Sequence, residues 1–139
     1  MKTYILSPAL VADNWHILKG YLKEALDHSV NETPLEEWLK RILSYQAQLW
    51  ISVNEQEKLL GVGITQFIQY TTHKTLHIVA VGGEGLLERI SEAYYPIENF
   101  ARENDCKAVE QWGRRGWGKV LSSMDPEFKT IYHVMRKEL

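Results

Sequence analysis

The residues best suited to chemistry lie in the second half of the chain. Residues 82–85 read Gly-Gly-Glu-Gly between an apolar run and a helical pattern, and Arg89 follows four residues later. A strand, a glycine-rich turn and a helix in that order expose backbone N–H groups that suit a phosphate. Arg89 would add a two-pronged donor from the first helical turn, whereas Glu84 opposes an anion. Glu110 is central in a short strand pattern and His77 in a longer one; a carboxylate or an imidazole so placed can take a proton from an amine. Each has a plainer alternative. The glycines also make a flexible turn, Glu110 a solvated partner of Arg114, and His77 a satisfied polar neighbour in its strand.

Residues 112–119, Trp-Gly-Arg-Arg-Gly-Trp-Gly-Lys, combine guanidinium forks with rings that stack on bases. A formal net charge of -2 gives no long-range attraction to nucleic acid, and the rest of the chain supplies no basic stripe. The structural reading therefore leads: glycines bend the chain from strand to helix and Trp117 plugs the core. The histidines 16, 28, 73 and 133 have no short ligand spacing, and the single Cys106 can form neither an intrachain disulfide nor a zinc-binding pair. No metal site is expected, and Cys106 reads as a small packed residue.

The elements that must position these groups follow from periodicity. Thr3–Leu6 reads as a strand. Ser7, Pro8 and then Asp13 or Asn14 prepare a helix whose apolar stripe is Leu18, Leu22, Ala25 and Leu26. Thr33, Pro34 and Glu36 form a capping-box pattern ahead of Leu35, Trp38, Leu39, Ile42 and Leu43. The period then changes to two through Leu49, Ile51 and Val53, a polar turn follows over 54–58, and strands are expected over 60–70 and 75–81. A long helix should run from Leu86 to Glu103 with a kink or break near Tyr94 and Tyr95, because Pro96 removes a donor. A strand over 108–112, a helix over 117–124 and a terminal strand over 130–136 complete the order, the last of uncertain register because Ile131 and Val134 differ in parity.

With 139 residues and 45% hydrophobic content the chain supports one core, so a single domain, 1–139, is expected. An α/β fold with a mixed, mainly antiparallel central sheet flanked by helices accommodates this order. No apolar run approaches a membrane span or a signal-peptide core, which points to a cytoplasmic protein.

The whole pattern resembles the GNAT acetyltransferase superfamily. The resemblance rests on the element order, on the fourth-strand segment 77–81, on Ala101-Arg102 late in the long helix, and on the closing region from Gly116-Trp117 to Phe128. It implies transfer of an acetyl group from acetyl-CoA to an amine, the cofactor lying against Val81, Gly82, Gly83, Gly85 and Arg89 and Glu110 serving as base. Setting Ala101 on the family's late-helix alanine puts Arg89 and Ser91 at the loop-glycine positions and Leu86 at the basic one, so the glycines here lie nearer the strand end. Setting Phe128 on the family's closing phenylalanine puts Ser123 where a tyrosine protonates the departing thiolate. A serine hydroxyl is a far weaker acid than a phenol; Tyr132 is the alternative if it turns toward the cleft.

A second reading keeps the scaffold without turnover, as a binding or assembly protein resembling small bacteriophage-encoded accessory or virion-associated proteins, with a phage protein partner. A small nucleic-acid-binding regulator is a third. The sequence leaves a homo-oligomer open.

Overall fold

The computed structural model describes residues 1–27, 32–113 and 115–139. After strand β1 (Lys2–Ile5), Ser7 accepts a bond from the Leu10 N–H and Pro8 opens a short helix, α1 (Pro8–Asp13). Asn14 closes it, leaving helical geometry while its amide donates to the Leu10 carbonyl at 2.8 Å. The helix expected from Trp15 is thus the second of two: α2 (Trp15–Asp27) begins on the other side of Asn14.

Helix α3 (Leu35–Leu43) starts one residue later than the capping-box reading requires. Pro34 is itself the cap residue, with extended backbone and no side-chain cap bond. Glu36 and Glu37 in the first turn and Lys40 and Arg41 in the last still favour the helix dipole.

Strands β2 (Gln48–Val53) and β3 (Leu59–Gln69) form the expected hairpin, its turn organised by Asn54 Oδ1, which accepts from the N–H groups of Gln56 and Lys58. Strand β4 (Lys74–Gly82) pairs with β3, and a turn of 3-10 helix (Leu87–Arg89) leads into α4 (Ile90–Glu103). α4 returns the chain to β5 (Ala108–Gln111), which lies parallel to β4, and α5 (Arg115–Met124) follows. Among the described residues the sheet has the order β1-β2-β3-β4-β5, antiparallel except for its last pair. No described helix is long and apolar enough to cross a membrane.

Side-chain alternation divides the core. Leu22, Ile42, Leu49 and Ile64 pack between the sheet and α1–α3, whereas Trp50, Leu76, Ile78, Tyr94, Ile97 and Ala101 pack beneath α4. α4 continues through Pro96. Tyr94 on one side of the proline and Ile97 and Ala101 on the other are buried against the same sheet face, and that packing outweighs one lost backbone bond.

The expected terminal strand over 130–136 does not form. That segment is irregular, and Ile131 and Val134 are 70% and 81% exposed. Apolar residues on both parities give it no single face to bury, so no register is favoured.

Candidate active site at the fork between β4 and β5

Thr65 stands opposite Ile78 and Ile64 opposite Ala80, so Val79 is an extra residue with no partner on β3. Such a bulge bends its strand and leaves backbone groups outside the ladder. On the other side, β5 pairs with β4 from Thr75–Ala108 to Ile78–Gln111 and goes no further. From Val79 to Gly82 the outer edge of β4 therefore has no neighbouring strand, and its outward N–H and C=O groups face the gap. Between the sheet and α4 lies an apolar cavity of about 40 Å³ whose wall runs from Thr3 and Ser52 through Val62 and Ile78 to Gln111 and Trp117, so the gap opens onto one end of it. That is near the volume of one water, well short of the several hundred Å³ typical of ligand pockets. Trp117 and Leu121, both on α5, stand where the gap must widen to admit a chain.

β4 ends in the glycine turn. Gly83 has φ +142°, and a side chain there would run into the Leu60 carbonyl of β3. A Cβ on Gly82 would lie 2.9 Å from the Ala25 Cβ of α2. These two glycines are fixed by packing, while Gly85, at φ +76° with open space beside it, forms the turn itself. Among the described residues no backbone acceptor meets the N–H of Glu84 or Gly85. Unpaired amides there, one turn before α4, are the donor chemistry that a pyrophosphate needs.

Arg89 closes that approach. Its Nε and Nη2 donate to Glu92 at 2.9 and 2.8 Å, and Nη2 and Nη1 to Glu55 at 2.9 and 3.2 Å. Glu55 also accepts from the N-terminal ammonium at 2.8 Å. Bonds from Arg89 hold both carboxyls below the usual range, and bonds to Glu92 and then Glu55 raise the guanidinium further. An anion reaching Arg89 must displace a carboxylate.

Glu110 and His77 are direct neighbours across β4 and β5. Glu110 Oε2 accepts from the Tyr70 hydroxyl at 2.9 Å and from Trp112 Nε1 at 3.2 Å. The Trp112 ring lies 4.2 Å from that of His77, and the Gln66 amide is 3.4 Å from His77 Nδ1. Burial pushes the His77 imidazole down to about 4, against the smaller opposite pull of Glu110, so it is neutral at pH 7. The Glu110 carboxylate raises the Tyr70 phenol, and Tyr132 adds to the shift. Tyr132, from a segment outside the sheet, thus stands near Tyr70. Ser123 is exposed on α5 with no hydrogen bond from its side chain among the described residues. Cys106 is half buried at the edge of the α4 core, and burial raises its thiol. Arg114, expected beside Glu110 and in the basic aromatic patch, lies outside the described residues, as does His28.

Three features escape sequence reasoning. The Val79 bulge is a property of pairing and leaves no mark in composition. Tyr70 and Glu110 are 40 residues apart, and Glu55 and Arg89 are 34 apart. Only Trp112 carried a signal, two residues beyond Glu110 and hence on the same side of an extended chain.

A scan of protein-family models finds no match to this chain, and neither does a search of curated proteins. Solved structures do match along the full length. An aminoglycoside acetyltransferase from an uncultured soil metagenomic sample, in complex with sisomicin, superposes with a TM-score of 0.71 at 12% identity, over 99% of this chain and 95% of that one. The fold is that of the GNAT acetyltransferases. Glucosamine-6-phosphate N-acetyltransferase from Arabidopsis thaliana shares this GNAT fold at TM-score 0.65 and 15% identity, covering 99% and 97% of the two chains. A GNAT family acetyltransferase from Staphylococcus aureus gives 0.66 and 16%, covering 99% and 98%. The phage association expected from the sequence gains no support from these GNAT-fold neighbours.

Proposed function

We propose that the chain is an N-acyltransferase that moves an acetyl group from acetyl-CoA to an amine at the fork between β4 and β5. The observation that carries this reading is the Val79 bulge beside the unpaired outer edge of β4, at the point where β5 diverges. Acetyl-CoA supplies an activated acyl thioester. Fixed backbone N–H groups along that edge, near Val81, are suited to hold a carbonyl oxygen as it gains charge. The amides of Glu84 and Gly85 suit the pyrophosphate, with Gly82 and Gly83 holding the turn in place and Arg89 joining once freed from Glu55. Glu110 takes the proton of the incoming ammonium, directly or through one water. Tyr132 is the better acid for the thiolate, since a phenol is far more acidic than the exposed hydroxyl of Ser123.

The test is amine-dependent release of free CoA thiol across a panel of primary amines. The reading predicts release that Glu110→Gln lowers by about 100-fold or more in kcat/KM. Absence of amine-dependent release by folded protein contradicts it. The small cavity favours a second reading, a binding or assembly protein on the same scaffold without turnover.

A further inference from the structure

Among the described residues, Glu110 has one carboxylate oxygen without a hydrogen-bond donor, in an aromatic setting. Both of its hydrogen bonds, from Tyr70 and Trp112, end on Oε2, and among the described residues nothing donates to Oε1 and no Lys or Arg pairs with it. Among the described residues, Arg41 lies over the Trp38 ring and bonds Glu37, and Lys74 lies over Phe67. The rings of Trp112 and Tyr132 are exposed, whereas that of Tyr70 has the His73 ring at 5.1 Å. Trp112 stacks one face on His77 and is 58% exposed, and Tyr132, which interacts with the half-buried Tyr70, is 57% exposed.

We infer that Tyr70, Glu110, Trp112 and Tyr132 form a recognition site for a compact organic ammonium group, the charged head of the acceptor amine. A cation against the faces of Trp and Tyr is attracted by their quadrupoles, and an adjacent carboxylate adds direct charge attraction. One carboxylate oxygen without a donor suits the single point charge of an ammonium better than a planar guanidinium, which seeks two. Among the described residues no group of three His, Cys, Asp or Glu stands together to hold a metal ion. The site is also well placed, because Glu110 pairs with His77 one step before Ile78–Gln111, the last rung before β4 and β5 part. A bound amine is therefore within a few residues' rise, about 3.3 Å each, of the unpaired β4 edge. The site's role as acceptor pocket rests on the transferase reading; its affinity for ammonium does not.

The test uses choline and its uncharged isostere 3,3-dimethylbutan-1-ol, titrated without acetyl-CoA while the indole N–H resonances of the tryptophans are followed by NMR. Trp112 is assigned by Trp112→Phe. Choline is expected to shift the Trp112 indole saturably, with the isostere at least about tenfold weaker. Glu110→Gln keeps an acceptor for both Tyr70 and Trp112, so it should stay folded and bind choline about three- to tenfold more weakly. An unshifted Trp112 at tens of millimolar choline, an equal response to the isostere, or an indifferent Glu110→Gln overturns the inference. Choline is neither acyl donor nor primary amine, so failure here is separable from failure of the transferase reading. Thiol release without a choline response sinks the ammonium site alone, and a choline response without thiol release upholds the site while sinking the transfer chemistry.

Discussion

His77 is 5% exposed, and its ring is enclosed by Trp112 and the Gln66 amide. Its imidazole titrates at about 4 in the folded chain and near 6.5 when unfolded. Between those values the unfolded chain binds the extra proton, so stability is full above pH 6.5 and falls as pH drops toward 4. The loss should reach roughly 3 kcal/mol by pH 4. His77→Phe keeps a ring against Trp112, and urea denaturation from pH 7 to 4 should show a flatter decline for this variant by about that amount; parallel curves would contradict the assignment. The same burial removes His77 as a general base near neutrality and leaves Glu110. The sequence named both residues, because a titratable group amid alternating apolar positions is visible in one dimension. It did not reveal that Tyr70 donates to Glu110, since the pairing of β3 with β4 and of β4 with β5 joins positions 40 residues apart.

At the scale of elements, the glycine turn and the start of α4 decide how an anion is received. Glu55→Gln removes one of the two carboxylates that hold Arg89, so it should tighten acetyl-CoA binding about three- to tenfold in calorimetry, while Arg89→Ala weakens it by a similar factor. If Glu55→Gln weakens binding, Arg89 is not a phosphate donor. The glycines should separate in urea unfolding. Gly83→Ala meets both positive φ and the Leu60 carbonyl and should cost about 2 kcal/mol or more, whereas Gly85→Ala, with open space, should cost about 1 kcal/mol. Most elements were legible from apolar period: α2, α3, the β2–β3 hairpin and β4 follow their spacing closely. Boundaries set by a single side chain were not. Asn14 splits a helical run, and Pro34 takes the cap that Thr33 was expected to provide. The 130–136 segment shows the converse, an alternating pattern that stays unpaired because its apolar residues share no face.

For the whole molecule, the order of elements sufficed to anticipate a mixed sheet with helices on both faces, because each element must bury one apolar side and few layered arrangements allow that. The order could not show whether the gap between β4 and β5 opens, which depends on how Trp117 and Leu121 pack against α4. The cavity that Trp117 and Leu121 help to line, between the sheet and α4, is about 40 Å³, too small for a ligand as it stands. The most direct test of the account is calorimetric titration of the intact protein with acetyl-CoA, with CoA alone as reference. Saturable one-to-one binding of acetyl-CoA, weakened by filling the gap with Val81→Trp, is the predicted result. A folded protein that takes up no heat at millimolar acetyl-CoA would contradict the transferase account and leave a GNAT-fold scaffold that does not use the cofactor.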